Sequence, residues 1–281
     1  MGKFRQLSHV YYKCAGFPTR RKSNRTWKVR FPCVRLGKAG LPESRTPKII
    51  SIFTGNSMQM DIALNISEIK SKIPKSIKLV AVSKTKPNED ILDAYHSGQK
   101  IFGENKVQEL VRKYEELPKD IEWHFIGHLQ TNKVKYIVPF VSLIHGVDSF
   151  KLLKTINKEA VKHNRIISCL LQFHIATEST KFGFSQPEVR SMLESKDFAA
   201  LRNVEINGVM GMATFTDNKD RIRNEFRELH RIFEMLKNDY FANLGSFKEI
   251  SMGMSDDYPI AVEEGSTIIR VGSKIFGERN Y

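Results

Sequence analysis

The sequence predicts one closed (β/α)8 TIM-type barrel over residues 60–281, with an N-terminal helix and a basic leader at residues 1–59. Eight apolar, strand-like runs alternate with amphipathic, helix-like stretches, which is typical of a parallel sheet with right-handed crossovers. Eight such units fit a barrel whose size range begins near ~200 residues. An open doubly wound sheet is the alternative, but neither G-x-G-x-x-G nor G-x-x-x-x-G-K-S/T follows the first strand.

The elements are predicted in chain order from hydrophobic periodicity. An opening helix covers about 61–72, because Ile62, Ile66 and Ile69 share one face and Pro74 stops the helix. Strands are predicted at 78–84, 99–105, 122–127, 143–148, 166–175, 205–214, 248–254 and 267–276. Helices are predicted near 88–97, 106–116, 131–138, 149–163, 187–196, 219–238 and 257–264. The helix at 219–238 has the clearest apolar face at helical spacing.

The basic charge of the chain is concentrated in residues 1–59, which hold thirteen Lys or Arg side chains and one acid, Glu43. The remaining residues carry 32 basic and 30 acidic side chains, so the net charge of +14 does not indicate a nucleic-acid partner for the barrel. The leader shows no sustained period, which predicts disorder. A transit peptide, a basic tail and an over-extended reading frame remain open, and Met60, directly before the first helix, favours the last.

The cysteines and apolar runs predict a soluble protein of the cytoplasm, or of an organelle only if the leader is a genuine transit peptide. Cys14 and Cys33 lie in the leader, and Cys169 lies inside an apolar run, where we expect a core residue. There is no disulfide framework, which fits a reducing compartment. The longest apolar stretches fall short of the ~20 residues needed to span a bilayer, so no membrane partner is expected.

Candidate site residues stand at the C-terminal ends of the predicted strands, where such barrels carry their chemistry. Lys84 closes the first strand, where desolvation disfavours its ammonium form, and a neutral amine can form a Schiff base with an aldehyde. Taken alone, Lys84 is better explained as a lysine that extends its ammonium to water. Asn105 ends the second strand. Arg270 lies inside an apolar run and needs an acceptor, because an unpaired buried guanidinium is costly.

The ends of the last two strands predict a phosphate site. Ser255 is predicted to cap a following helix, and Gly272, beside the Ser273 hydroxyl, lets the backbone approach a ligand closely. Barrels frequently bind phosphate with these two loops, although a simple cap and turn would explain either feature alone. Together with Lys84 across the same barrel mouth, they predict a phosphorylated aldehyde. That ligand is pyridoxal 5′-phosphate, with Arg270 facing its pyridine nitrogen.

Metal and nucleophile chemistry are disfavoured, and no catalytic residue is predicted. His124 and His128 have H-x-x-x-H spacing, but along a strand this spacing separates them by about 13 Å at ~3.3 Å per residue, too far for one ion. Cys169 lies in the middle of a strand, which disfavours a Cys/His nucleophile, and no G-x-S-x-G motif is present.

Six segments carry a specific pattern: A-V-S-K-T-K at 81–86, F-G-E-N-K-V-Q-E at 102–109, W-H-F-I-G-H-L-Q-T-N-K at 123–133, K-F-G at 181–183, S-M-G-M-S-D-D at 251–257 and R-V-G-S-K-I-F-G at 270–277. Their combination resembles the pyridoxal phosphate homeostasis proteins, whose barrel is similar to the N-terminal domain of alanine racemase. The resemblance implies a Schiff base at Lys84, phosphate contacts at Ser255, Gly272 and Ser273, the pyridine nitrogen near Arg270, and the cofactor's face or edge near Asn105.

The resemblance and Arg270 together favour a carrier over an enzyme. An arginine leaves the pyridine nitrogen unprotonated and so weakens the ring as an electron sink. Racemases of this fold add a tyrosine acid/base from a second domain and a partner subunit, and we expect no such domain after the last strand. We therefore expect a monomer that binds, buffers and transfers pyridoxal 5′-phosphate, with apo enzymes as recipients. The alternative is a slow amino-acid racemase that uses Lys84 alone or with a barrel residue.

Overall fold

The structure, a computed structural model, describes residues 61–176 and 182–278, so the predicted leader at 1–59 lies outside the described residues. Eight parallel strands form a closed barrel in which each strand pairs with the next along the chain and the last pairs with the first. Helices lie between the strands. The predicted (β/α)8 barrel is therefore confirmed.

The element bounds follow the predicted order. The strands are β1 (Lys78–Val82), β2 (Ile101–Glu104), β3 (Glu122–Phe125), β4 (Leu143–Val147), β5 (Ile167–Gln172), β6 (Val204–Met210), β7 (Glu249–Ser251) and β8 (Ile268–Val271). The helices are α1 (Ile62–Ser71), α2 (Asn88–His96), α3 (Val107–Glu116), α4 (Val134–Ile137), α5 (Phe150–Lys162), α6 (Gln186–Leu193), α7 (Lys196–Ala199), α8 (Lys219–Tyr240), α9 (Tyr258–Glu263) and α10 (Ser273–Phe276).

Several predicted strands are longer than the observed ones. The predicted strand at 267–276 ends at Val271, and the rest of the apolar run forms α10 after Gly272. The predicted strand at 205–214 ends at Met210, which leaves the following residues in a loop. The cause is common to both cases, because periodicity cannot separate a buried strand from an apolar loop or a short helix that continues the same run.

The apolar side chains form two layers. The larger core lies between the sheet and the surrounding helices, and α8 contributes its predicted apolar face to it. Phe226 and Leu229 are fully buried on that face, each worth roughly 1.5–3 kcal/mol of stabilisation. A smaller cluster consists of Val80, Leu143, Leu170, Met210 and Ile268.

The helix ends are fixed by the side chains that the sequence supplies. The Asp61 carboxylate accepts the Leu64 N–H at 2.9 Å and so starts α1, while Ser185 and Glu188 form a capping box at α6.

None of the helices in the described ranges combines the length and the apolar character that crossing a bilayer requires.

Gly208 in β6 has a backbone conformation that side chains rarely adopt, with φ at +151°, and it pairs with Glu249 of β7. An added Cβ would lie 1.8 Å from the Glu249 carbonyl oxygen. We expect Gly208→Ala to lower the free energy of unfolding by more than about 3 kcal/mol, measured by urea denaturation. The control is Gly245→Ala, where a Cβ meets nothing within 4 Å. Equal losses in the two variants would contradict this explanation.

Candidate functional site

A cavity of about 480 Å³ opens at the C-terminal ends of the strands and contains every residue that the sequence predicted for the site. Its volume lies within the range of small-molecule sites. The six predicted residues that line it are Lys84, Asn105, Ser255, Arg270, Gly272 and Ser273. The barrel therefore brings together side chains that are separated by nearly two hundred positions in the sequence.

The first and last strands place Lys84 beside the predicted phosphate turn. Ala81 of β1 pairs with Val271 of β8, so the segments that follow these residues leave the sheet side by side. A Cβ added at Gly272 would lie 3.1 Å from the Val82 carbonyl oxygen. A side chain at position 272 would therefore crowd the backbone that leads to Lys84.

Ser255 lies in the cavity, but its predicted role as a helix cap is wrong. Helix α9 begins at Tyr258, with Pro259 in its first turn, where the fixed φ of proline suits a helix start. The Ser255 hydroxyl instead accepts the Gly272 N–H at 3.2 Å. This bond joins the loops after β7 and β8 and leaves the proton of the hydroxyl for a second acceptor.

Arg270 is buried inside the barrel and reaches the cavity floor, as its position in an apolar run predicted. Its guanidinium donates to the Ser251 hydroxyl at 2.5 Å and to the Gly211 carbonyl oxygen at 3.1 Å. Burial lowers the pKa of Arg270 to about 10, which keeps it charged at neutral pH. Both acceptors are neutral, while the charge of Asp257 opposes the effect of burial on the pKa of Arg270. The guanidinium therefore offers a positive charge to an anionic or lone-pair ligand.

Three further polar residues extend inward from Arg270, and the sequence did not predict their arrangement. Ser251 lies 2.9 Å from Nδ1 of His145, and Nε2 of His145 lies 3.0 Å from Nδ1 of His124. Arginine can only donate, so the Ser251 hydroxyl accepts from Arg270, and the tautomers of the two rings set the direction of the bonds from Ser251 to His145 and from His145 to His124. The sequence did contain a signal at His145, which is the polar residue of the otherwise apolar strand β4.

Both histidines in this series of hydrogen bonds, His124 and His145, are neutral. Burial lowers the pKa of His124 to about 3, and burial, with electrostatic effects from His124, Arg270 and Lys78, lowers the pKa of His145 well below its ordinary value. A neutral ring can accept at one nitrogen and donate at the other, as the chain of hydrogen bonds requires. The chain therefore fixes the orientation of Ser251 and, through it, of Arg270.

His124 and His128 have different partners. His124 lies inside the barrel, whereas His128 lies at the cavity mouth, where its Nδ1 is 2.7 Å from Oδ2 of Asp148. The His128 ring stacks on Phe182, with the ring centroids 4.0 Å apart. No group of three metal-ligating side chains occurs in the part of the chain that the structure describes. Cys169 is buried in the core, as predicted.

Carboxylates from the adjoining elements hold the loops around the cavity. Glu225 of α8 accepts both the backbone N–H of Thr214, at 2.6 Å, and its hydroxyl, at 2.8 Å. Asp257 accepts the N–H of Met254 at 2.5 Å. The backbone N–H groups of Thr214 and Met254 are therefore satisfied by side chains of the protein itself.

The sequence of the barrel matches known proteins over almost its whole length. Residues 60–280 match the family model described as alanine racemase, N-terminal domain. A pyridoxal phosphate homeostasis protein of Aquifex aeolicus is 42% identical over 205 residues, which cover 73% of this chain and 88% of that protein. This chain belongs to the pyridoxal phosphate homeostasis protein family.

Two further comparisons agree with this assignment. The pyridoxal phosphate homeostasis protein of Haemophilus influenzae is 36% identical over 235 residues, which cover 79% of this chain and 98% of the relative. The structure of PipY from Synechococcus elongatus with pyridoxal phosphate bound has a TM-score of 0.70 and 35% identity, and the match covers 77% of this chain and all of PipY. The family resemblance stated from sequence motifs is thereby confirmed.

The neutral histidines predict a loss of stability in acid. Between the ordinary histidine pKa of 6.5 and the value of about 3 for His124, the unfolded chain binds protons that the folded barrel excludes. The stabilisation is therefore complete above pH 6.5 and falls as the pH decreases, by up to about 1.4 kcal/mol per pH unit for each histidine. Urea unfolding at several pH values measures this slope.

His145→Gln should reduce the slope of unfolding free energy against pH, because it removes one of the two buried titrating groups. His163→Gln is the matched control, since His163 is exposed at the C-terminal end of α5. An unchanged slope in His145→Gln would show that His145 does not titrate in this way.

Proposed function

We propose that this protein binds pyridoxal 5′-phosphate in the barrel cavity and takes part in the homeostasis of this cofactor, without efficient catalysis. The observation that carries the proposal is the convergence in one cavity of Lys84, the Gly272–Ser273 turn and Arg270. The bound cofactor in PipY, a family member 35% identical to this chain, supports the same ligand.

The residues in the cavity fit this ligand by their chemistry. Its mouth offers an amine at Lys84 and hydroxyls at Ser255 and Ser273, and its floor offers the guanidinium of Arg270. Gly272 packs against Val82 of β1, where a Cβ would crowd the Val82 carbonyl oxygen, so the turn stays close to the strand end that leads to Lys84. The aldehyde of the ligand needs a nucleophilic amine, and its phosphate needs hydrogen-bond donors. The ring nitrogen needs a polar partner.

When bound, pyridoxal 5′-phosphate supplies an aldehyde carbon and an aromatic ring that withdraws electrons. Lys84 would hold the aldehyde end by a covalent bond from its Nζ. Ser255 would donate its hydroxyl proton to the phosphate, because its oxygen already accepts from Gly272. Ser273 would add a second donor, and Asn105 would contact the cofactor's face or edge.

Arg270 distinguishes a carrier from an efficient enzyme. Its guanidinium stays charged and donates hydrogen bonds, so it would leave the ring nitrogen unprotonated. The polar residues behind it offer no carboxylic acid, because the chain continues through Ser251 and two neutral histidines. An unprotonated ring withdraws electrons weakly, and this property suits retention and transfer of the cofactor better than turnover.

A second candidate function is slow racemisation of amino acids, which one observation favours. His128 lines the cavity, and its imidazole is hydrogen-bonded to Asp148. A histidine oriented by a carboxylate can exchange a proton with a bound substrate. His128, oriented by Asp148, is the barrel residue that could assist Lys84.

For the first candidate function, the carrier, we further propose that the protein is a cytoplasmic monomer and that its recipients are apo enzymes that need pyridoxal 5′-phosphate.

Lys84→Ala should abolish the near-visible absorbance of the protein–cofactor complex and its change on borohydride reduction, because the covalent bond requires the Lys84 amine. Lys158→Ala, at an exposed position on α5, is the control and should leave the spectrum unchanged. Mass spectrometry after reduction locates the bond. A reduced adduct on Lys86 or Lys133 at full occupancy in wild-type protein would contradict the assignment to Lys84.

The carrier proposal predicts slow exchange of the α-proton of amino acids in heavy water. The cofactor-loaded protein is incubated with L- and D-amino acids, and deuterium at the α-carbon is followed by NMR. We expect exchange close to that of free pyridoxal 5′-phosphate. Rapid deuterium incorporation that His128→Gln removes would favour the racemase instead.

A further inference from the structure

Lys84 lies in a tight turn with a strained residue directly after it. The Lys86 N–H donates to the Ser83 carbonyl oxygen at 3.0 Å, so Lys84 and Thr85 occupy the two central positions of a four-residue turn. Thr85 has φ at +65°, which is the left-handed region that β-branched residues avoid. Strain of this kind persists only where surrounding contacts hold the backbone in place, and it is concentrated at functional sites.

A buried ionic cluster lies against this turn. Lys113 of α3 has no exposed side-chain surface, and its Nζ is 2.8 Å from Oε1 of Glu104 and 2.7 Å from Oε1 of Glu109. Glu104 is equally buried, at the end of β2, while Glu109 is 14% exposed. Both the sheet and the adjacent helix therefore contribute to the cluster.

Each member of the cluster contacts a residue that flanks Lys84. The Nζ of Lys113 also donates to the Ser83 carbonyl oxygen at 2.8 Å. The Ser83 hydroxyl donates to Glu104 at 2.7 Å. The backbone N–H of Thr85 donates to Glu109 at 2.7 Å. The backbone on both sides of Lys84 is thus fixed by ionised or buried groups, which make the stronger hydrogen bonds.

Stability alone gives a weak reason for such a cluster. Burying charges is costly, and apolar residues of similar volume often serve the fold as well or better. Here one oxygen of Glu104, Oε2, is buried without a hydrogen-bond partner among the described residues. Burial also raises the pKa of Glu104. Because the cluster is costly in free energy and contacts the turn that contains Lys84, it indicates a role in positioning that residue.

We propose that Glu104, Lys113 and Glu109 are positioning residues that hold the strained turn and so aim the Lys84 amine into the cavity. The inference rests on the proposed function, since Lys84 is taken as the residue that bonds the aldehyde. An amine held in its bonding geometry before the ligand arrives loses less conformational freedom when the bond forms, so releasing the turn weakens the covalent binding.

The test compares two phosphorylated ligands on the full-length protein. Pyridoxal 5′-phosphate can bond to Lys84, whereas pyridoxine 5′-phosphate carries an alcohol in place of the aldehyde and cannot. Glu109→Ala should weaken pyridoxal phosphate binding about tenfold, which corresponds to about 1.4 kcal/mol. Binding of pyridoxine phosphate should change by less than about twofold, because the phosphate and ring contacts remain.

Glu249→Ala is the matched control. Glu249 is also a buried carboxylate paired with a lysine, Lys78, at 2.7 Å, but it begins β7 at the opposite end of the barrel. Glu249→Ala should lower the midpoint temperature of thermal unfolding, and it should change the affinities for the two ligands by the same factor. If Glu109→Ala and Glu249→Ala have the same effect on both ligands, the cluster is structural and the proposal is wrong.

A rescue experiment tests the strain directly. Glycine adopts the conformation of Thr85 without penalty. We therefore expect Thr85→Gly to restore much of the pyridoxal phosphate binding that Glu109→Ala loses. No recovery in the double variant would overturn the link between the cluster and the turn. If Glu109→Ala does not fold, Glu109→Gln replaces it in the same comparison, with a smaller loss expected and the same two outcomes deciding.

The outcomes separate this inference from the proposed function. If wild-type protein binds neither ligand, or forms no borohydride-reducible bond, the proposed function fails. If wild-type protein binds and bonds pyridoxal phosphate but the Glu109 variant loses both ligands equally, only the positioning role fails.

Discussion

The hydrogen-bonded pairing of β1 with β8 is the contact on which the candidate site depends. Four residues of β1, from Lys78 to Ala81, are in register with Ile268 to Val271 of β8, and this register closes the barrel. Because the strands are parallel, their C-terminal ends meet at one mouth. Lys84 and Gly272 therefore become neighbours although they stand at opposite ends of the folded region. Without closure, the amine and the proposed phosphate turn would belong to the two free edges of a sheet.

Closure also creates an interior in which polar groups must satisfy one another. Arg270 donates to Ser251, and His145 and His124 continue this series of hydrogen bonds into the barrel. The pKa values of the histidines fall because the interior excludes water. As a result, Arg270 presents a positive charge to the cavity, and neutral acceptors hold its guanidinium in place. Burial thus keeps these hydrogen-bonded histidines neutral, and it also limits their use as proton donors to a ligand in the cavity.

The residues around Lys84 illustrate why strand ends carry function in this fold. Strand ends leave the regular hydrogen-bonding pattern, so other groups must fix their backbone. At β1, a lysine and two glutamates take this role, and at the later loops Glu225 and Asp257 do so. The cavity therefore combines a rigid sheet with loops that carboxylates hold in place. Such a site needs little rearrangement to receive a small ligand, which suits a protein that retains and releases a cofactor.

The sequence by itself determined the barrel and the positions of Lys84 and Arg270, because strand periodicity is local and a charged residue within an apolar run is conspicuous. It also carried the family motifs that the comparisons confirmed. It gave Ser255 the wrong local role and overlooked Ser251, since both depend on contacts between β7 and β8. The link between Lys113 and the Lys84 turn likewise needs α3 packed against β1. Only the tertiary structure decided these partners, because hydrogen bonds between distant segments depend on register and packing that no local pattern encodes.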